Sequence, residues 1–239
     1  MRLQLTRPLV CLDLETTGLD TSSDRIVEFG AVKLWPDGRR ESIEKRCDPG
    51  IDVPEQATKI HGIRNDDVRG LFGEPPLSKL GPEFCEFLGD ADLTGFNIGA
   101  DLGGEISGYD LPLWLAEVER HQLPFTMEGR KVVDARLIFV AKEPAWDRFV
   151  QGPRNLNNAV LHYLGRNQAD AFSQRDSGDG QDLGLSLEEQ NRHSAVKDAD
   201  ATLDVLIAQL GRYDDVPTTV DQLASFCTNV AREQQTAAR

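Results

Sequence analysis

Two carboxylates, Asp13 and Glu15, are set in an apolar run that has the length of a buried strand and stops at the break Thr16-Thr17-Gly18. Residues two apart on a strand project from the same face, so the two acids are predicted to lie side by side. Like charges held this close repel each other, and a divalent cation with oxygen ligands relieves the repulsion. The alternative is the solvent face of an edge strand, but the neighbours on both faces are apolar. The spacing therefore predicts a metal site.

Two later segments offer further groups of the same chemistry. Asp110 follows Tyr109 and opens an apolar pattern of helical spacing, where it is well placed as the N-cap. The segment from His193 to Asp198 places an imidazole and a carboxylate about a turn and a half apart on a helix. Both segments are therefore candidates to complete the site that Asp13 begins.

The elements that must position these groups alternate between strands and helices. Apolar patterns and turn signals predict strands at the acid-bearing run and over residues 25–35, 39–46, 91–96 and 131–133. Helical spacing predicts a short helix ending at Gly62 and longer ones over 77–88, 111–119, 134–141, 156–164, 193–210 and 220–231. This order implies a mixed β-sheet flanked by α-helices, which is one α/β domain.

The length of 239 residues and the hydrophobic content of 39% are sufficient for one large domain or two small ones. We expect a domain over residues 1–212, followed by a C-terminal helical tail over 213–239. Surface insertions are predicted near three segments of this domain: 99–108, 142–152 and 166–191.

The net charge of −14 argues against a protein that holds nucleic acid by bulk electrostatics, since that needs clustered Lys and Arg. An acidic site that gathers cations can still bind phosphates through the metal. The four cysteines are far apart without zinc-type spacing, which indicates reduced, structural thiols. No signal peptide or membrane-spanning run is evident, so a cytoplasmic protein without membrane contact is expected.

The motifs resemble those of the DEDDh-type 3'-5' exonucleases of the ribonuclease H-like superfamily. In chain order they are Asp13-x-Glu15-Thr-Thr-Gly, then Phe96-Asn97 with Tyr109-Asp110-Leu-Pro-Leu, then His193 followed five residues later by Asp198. The resemblance spans roughly residues 8–210 and is greatest to the epsilon proofreading subunits of bacterial replicative polymerases and their stand-alone relatives. It implies a ribonuclease H-like mixed β-sheet flanked by α-helices.

The resemblance also implies an activity and a set of site residues. Two Mg²⁺ or Mn²⁺ ions would be held by four carboxylates: Asp13, Glu15, Asp110 and Asp198. His193 would accept the proton of the attacking water, and nucleoside 5'-monophosphates would leave the 3' ends of single-stranded DNA or RNA. A DNA polymerase or a repair complex is the implied partner.

Four residues are candidates for substrate binding: Thr16, Thr17, His61 and Asn97. Each has a structural alternative, because the threonines suit a turn, Asn97 suits a strand end, and a carbonyl can satisfy a histidine at a helix terminus. Asp134 has two interpretations as well, since it either neighbours the site or caps the next helix.

The second motif leaves two ligand candidates, because the segment 99–108 separates Asn97 from Asp110. Asp101 stands four residues after Asn97 and satisfies the bare spacing. Asp110 is favoured because it opens a helix whose body packs inward, whereas a Gly-rich loop holds Asp101. Two other functions stay open, namely an exoribonuclease resembling oligoribonuclease or RNase T, and an exonuclease-like binding module with weak catalysis. The oligomeric state is also open.

Overall fold

The computed structural model describes residues 2–71, 73–165 and 194–238. Its centre is a five-stranded sheet with the order β3-β2-β1-β4-β5. The strands are β1 Leu9–Thr16, β2 Ile26–Leu34, β3 Arg40–Arg46, β4 Asp92–Gly95 and β5 Val132–Asp134. β1 pairs antiparallel with β2 and parallel with β4, so the sheet is mixed, as the sequence predicted.

Helices cover both faces of this sheet. Within the described residues they are α1 Glu55–His61, α2 Asn65–Val68, α3 Leu77–Leu88, α4 Asp110–His121, α5 Ala135–Lys142, α6 Leu156–Leu164, α7 Ala195–Arg212 and α8 Val220–Ala237. The predicted α/β class, with a mixed sheet flanked by helices, is confirmed. The insertion predicted over 166–191 lies outside the described residues.

Two helices differ from the sequence prediction by more than two residues. The four-residue helix α2 was not predicted; it follows Gly62, whose left-handed φ of 78° ends α1. The last helix extends to Ala237, beyond the predicted end at residue 231. Its Leu223 and Cys227 are fully buried in the core with β5 and α5, which fixes the helix on the domain. The domain boundary at residue 212 stays a prediction.

The central strand β1 is buried on both faces because each side of the sheet carries a helical layer. Leu9 and Cys11 face the core formed with α5, α6, α7 and α8. Val10, Leu12 and Leu14 face the second core, which includes α3 and α4. By alternation, Asp13 and Glu15 project from the face that α7 covers.

The four cysteines are buried and free of disulfides, in keeping with the structural role predicted for them. None of the helices that the structure describes has the length and apolar character needed to cross a membrane.

Candidate active site

The first two carboxylates of the site come from β1. Glu15 is buried and Asp13 is partly exposed, and both lie on the side of the sheet that faces α7. In the pairing of β1 with β2, Asp13 lies opposite Gly30 and Glu15 lies opposite Glu28. The predicted pairing of two acids on one strand face is therefore present at the surface of a core strand.

The third carboxylate is supplied by α7. Its Asp198 is buried in the first turn of the helix. One oxygen of each carboxylate of Asp13, Glu15 and Asp198 lies within 4.8 Å of the others. This close approach needs Gly30, because a β-carbon there would lie 2.1 Å from the backbone nitrogen of Val196. The glycine lets the start of α7 rest directly on the sheet.

Asp110 is the fourth acid, and its structural position corrects one prediction. The N-cap of α4 is Tyr109, and Asp110 is the first helical residue. The backbone N–H of Tyr109 donates to the carbonyl of Asn97 at 3.0 Å, which holds Tyr109 outside the helical conformation. Asp110 is buried and lies outside the tight group of three, but close enough for its charge to act strongly on Asp13. We refer to Asp13, Glu15, Asp110 and Asp198 as the carboxylate cluster.

Asp101, the rival candidate, forms hydrogen bonds within its own loop. Its side chain is exposed and accepts hydrogen bonds from the N–H groups of Gly103 at 2.8 Å and Gly104 at 2.9 Å. Its carbonyl accepts a bond from Thr228 on α8. These contacts favour Asp110 as the ligand of the second motif.

Burial and mutual repulsion dominate the electrostatics of the cluster. Burial, followed by the charges of Asp110, Asp198 and Glu15, raises the pKa of Asp13 well above its ordinary value. Burial and the charges of Asp134, Glu15 and Asp198 raise the pKa of Asp110 in the same way. Without a cation, Asp13 and Asp110 therefore bind protons more readily than exposed carboxyls do.

Asp134 fulfils both roles that the sequence left open. It caps α5 by accepting the N–H groups of Arg136 and Leu137, and it also accepts those of Asn97 and Gly99. Burial raises its pKa to about 6 against these four hydrogen bonds, and its charge acts on Asp110. Asp134 thereby fixes the turn between the two halves of the second motif.

A set of carboxylate oxygens suits hard divalent cations such as Mg²⁺ and Mn²⁺. The residues that would hold them are the four acids of the carboxylate cluster, whose repulsion a cation would relieve. His193, predicted as the base, lies outside the described residues, which resume at Ser194.

Three of the predicted substrate residues are engaged by the protein itself. The hydroxyl of Thr16 lies 3.0 Å from that of Tyr109, and the hydroxyl of Thr17 donates to Asp24 at 2.8 Å. His61 is buried, with its Nδ1 accepting the N–H of Ile63 at 3.0 Å and its Nε2 lying 3.2 Å from the carbonyl of Thr16. The contact of His61 with a carbonyl matches the structural alternative, and substrate contact stays a prediction.

Asn97 differs from these three residues. It is exposed, with a left-handed φ of 70°, while the Asp134 carboxylate holds its backbone N–H at 3.0 Å. Its side chain therefore stands at the surface, and its contact with substrate stays a prediction.

Two further residues at the site were not predicted. The hydroxyl of Tyr109 donates to the carbonyl of Gly18 and so links the second motif to the first. Glu28 is an acid buried in a strand that is otherwise mostly apolar. This is the same signal that distinguished Asp13, and it was available in the sequence.

The raised pKa values predict that the metal-free protein loses stability as pH rises. A carboxyl whose pKa is higher in the folded than in the unfolded state binds more protons when folded. The free energy of unfolding therefore falls as the pH rises through the interval between the unfolded-state pKa and the folded-state pKa. For Asp134 the interval runs from 3.8 to about 6. Burial and repulsion shift the pKa values of Asp13 and Asp110 in the same direction. We expect the melting temperature in EDTA to fall as the pH rises from about 4 to about 6, and Mg²⁺ to restore it increasingly over the same range.

Thermal melts with and without Mg²⁺ in buffers of equal ionic strength measure this effect. Carboxyls with lowered pKa values, such as Asp101, act mainly below this range and in the opposite direction. A midpoint in EDTA that rises across the range would contradict the electrostatic account of the carboxylate cluster.

Part of the chain is similar in sequence to known proteins. Residues 10–103 match the family model described as Exonuclease (RNase_T). The chain is 32% identical over 93 residues to the DNA polymerase III subunit epsilon of Aquifex aeolicus, covering 39% of this chain and 45% of that protein. It is 34% identical over 94 residues to the PolC-type DNA polymerase III of Clostridium perfringens, covering 39% of this chain and 6% of that protein. The chain thus spans less than half the length of either relative.

A solved complex of E. coli ExoI with single-stranded DNA, in a zinc-bound form, has a similar fold. The TM-score is 0.60 at 15% identity, and the match covers 88% of this chain and 41% of that chain. The mixed sheet and its flanking helices therefore form an α/β fold consistent with the ribonuclease H-like fold that the motifs implied. The similarity to exonucleases over residues 10–103 agrees with the resemblance of the motifs to the DEDDh-type 3'-5' exonucleases.

Proposed function

We propose that the protein is a two-metal-dependent 3'-5' exonuclease that releases nucleoside 5'-monophosphates from the 3' ends of single-stranded DNA. The supporting observation is the convergence of Asp13, Glu15 and Asp198 to within 4.8 Å, with Asp110 beside them. Clustered acids from separate elements lower stability unless a cation balances them. A nuclease that binds phosphate through cations is also consistent with the net charge of −14.

In this proposal the four acids hold Mg²⁺ or Mn²⁺ at the scissile phosphate. When bound, such cations would supply an activated water and stabilisation of the charge on the leaving 3' oxygen. His193 would accept the proton of that water. The turn after β1 is fixed by His61 and Tyr109, which contact the Thr16 and Gly18 carbonyls. These contacts keep Asp13 and Glu15 in a constant position relative to the nucleic acid.

The named relatives support DNA over RNA as the substrate class. Two are DNA polymerase III proteins, and ExoI was solved with single-stranded DNA. We propose a DNA polymerase or a repair complex as the partner on the same grounds. The cytoplasmic location stays a prediction.

The proposal is tested with 5'-labelled DNA and RNA oligonucleotides of one sequence, in Mg²⁺, Mn²⁺ or EDTA. We expect stepwise shortening of the DNA from its 3' end in either metal, release of 5'-monophosphates and no cleavage in EDTA. A DNA with a blocked 3' end is the control and should stay intact. Cleavage of RNA alone would establish the exoribonuclease alternative. Cleavage of neither substrate would contradict the proposal and support the alternative of an exonuclease-like binding module.

The His193→Ala variant should turn over about 10²- to 10⁴-fold more slowly, which is the usual contribution of a general base. Its affinity for Mn²⁺ should stay close to that of the wild type, because the four carboxylates are unchanged. The rate of the wild type should also rise with pH through the titration of an imidazole, and this rise should be missing in the variant. Equal turnover at every pH would exclude His193 as the base.

A further inference from the structure

Helix α7, which carries Asp198, begins without a cap from its own N-cap residue. The hydroxyl of Ser194 accepts no bond from the helix and instead donates to Glu44 Oε1 at 2.6 Å. The first backbone N–H groups of a helix have no partner within it and must be satisfied from outside. Here the N–H of Ala195 donates to Glu28 at 3.1 Å, and that of Val196 donates to Glu44 at 3.2 Å. Two acids from the hairpin of β2 and β3 therefore cap this helix.

Glu28 is the buried member of this pair. Its side chain is 4% exposed, with one oxygen bound to the Ala195 N–H and the other to Arg46 Nε at 2.8 Å. A carboxylate in this position lowers stability unless it is hydrogen-bonded, and its charge also raises the pKa of Asp13. The two hydrogen bonds, one of them to the first residue of α7, offset this cost.

The register of the strands connects the cap to the carboxylate cluster. Glu28 lies opposite Glu15, and Gly30 lies opposite Asp13, at the point where the backbone of Val196 rests on the sheet. Further along α7, Arg40 of β3 forms ion pairs with Asp200 and Asp204. The hairpin therefore holds the start of α7 and its next turns on the face that bears the first-motif acids.

We propose that Glu28 and Glu44 are positioning residues that set the depth and register at which α7 presents Asp198 to Asp13 and Glu15. This inference rests on the proposed function for the role of the carboxylate cluster. Glu28 has the larger effect because it is buried, whereas Glu44 is exposed to competing water. Neither residue needs to contact metal or nucleic acid.

The test compares Glu28→Ala, Glu28→Gln and Glu44→Ala in the full-length protein. The matched control is Glu41→Gln, which removes an acid from the opposite face of β3 whose partner is the exposed Arg39. Thermal melts first establish that each variant is folded. Mn²⁺ affinity is then measured by titration calorimetry without nucleic acid, and amide hydrogen exchange is followed over residues 195–198.

We expect Glu28→Ala to weaken Mn²⁺ binding by about 10- to 100-fold, the usual range for residues that orient ligands, and to speed exchange over 195–198. Glu28→Gln keeps an acceptor for the Ala195 N–H and should retain most of the affinity. Glu44→Ala should show a smaller loss, and Glu41→Gln should show none.

Wild-type exchange over 195–198 in Glu28→Ala would overturn the inference. Equal loss of affinity in Glu28→Gln and Glu28→Ala would also overturn it, because the removed charge alone would then explain the effect. A wild type that binds Mn²⁺ but cleaves no nucleic acid contradicts the proposed function alone. If the wild type binds no Mn²⁺, the carboxylate cluster loses its proposed role, and the exchange data still decide whether Glu28 positions α7.

Discussion

The Asp13→Asn variant is expected to release no nucleotide from a 3' end and, in EDTA, to melt at a higher temperature than the wild type. The amide keeps the shape of the carboxyl but loses the charge that would bind the cation. Loss of several kcal/mol of transition-state stabilisation corresponds to at least about a 10³-fold fall in rate. Stability rises because Asp13 no longer repels Asp110, Asp198 and Glu15, the charges that raise its pKa.

The two effects separate a metal-binding acid from an ordinary structural one. Loss of a structural carboxylate lowers stability and activity together, whereas loss of a ligand from a repulsive cluster moves them in opposite directions. Asp66→Asn, at an exposed site in α2, is the matched control and should change neither activity nor melting temperature. Activity equal to that of the wild type in Asp13→Asn would refute the site.

The second large effect is expected from Asp110→Asn, in direct comparison with Asp101→Asn. Asp110 is buried beside the carboxylate cluster, so its neutralisation should reduce the rate by at least about 10³-fold and weaken Mn²⁺ binding. Asp101 accepts two backbone N–H groups in its own loop, so its neutralisation should lower thermal stability slightly and leave the rate unchanged.

Rates on the DNA oligonucleotide at saturating Mg²⁺, together with Mn²⁺ titrations, compare the two variants. Loss of activity in Asp101→Asn, with activity retained in Asp110→Asn, would identify Asp101 as the ligand of the second motif. Loss in both would mean that the loop positions the start of α4, and melting curves would show whether the Asp101 variant had simply unfolded.

The sequence was most informative where the relevant contacts are local. The spacing of Asp13 and Glu15 on one strand predicted their shared face because strand alternation depends only on the chain itself. The preference for Asp110 over Asp101 followed from the same kind of local argument, since a helix start holds a side chain more firmly than a glycine-rich loop.

Two features that depend on distant contacts were missed. Tyr109 is the N-cap of α4 because its N–H donates to the carbonyl of Asn97 across the intervening segment. Helix propensities cannot predict such a contact. One partner of Glu28 is Ala195, 167 positions away in the chain. An isolated acid in a strand indicates a special role, but its partner becomes evident only once the sheet and α7 are packed together.

The placement of α7 has a consequence for protein synthesis. The third carboxylate of the tight group, Asp198, is translated after the whole sheet, and its helix is capped by acids of the β2–β3 hairpin. A nascent chain that has been translated only as far as residue 194 carries the acids of β1 and α4 but lacks Asp198, which completes the carboxylate cluster. Incomplete chains therefore cannot assemble the proposed catalytic centre beside the messenger RNA from which they are being made.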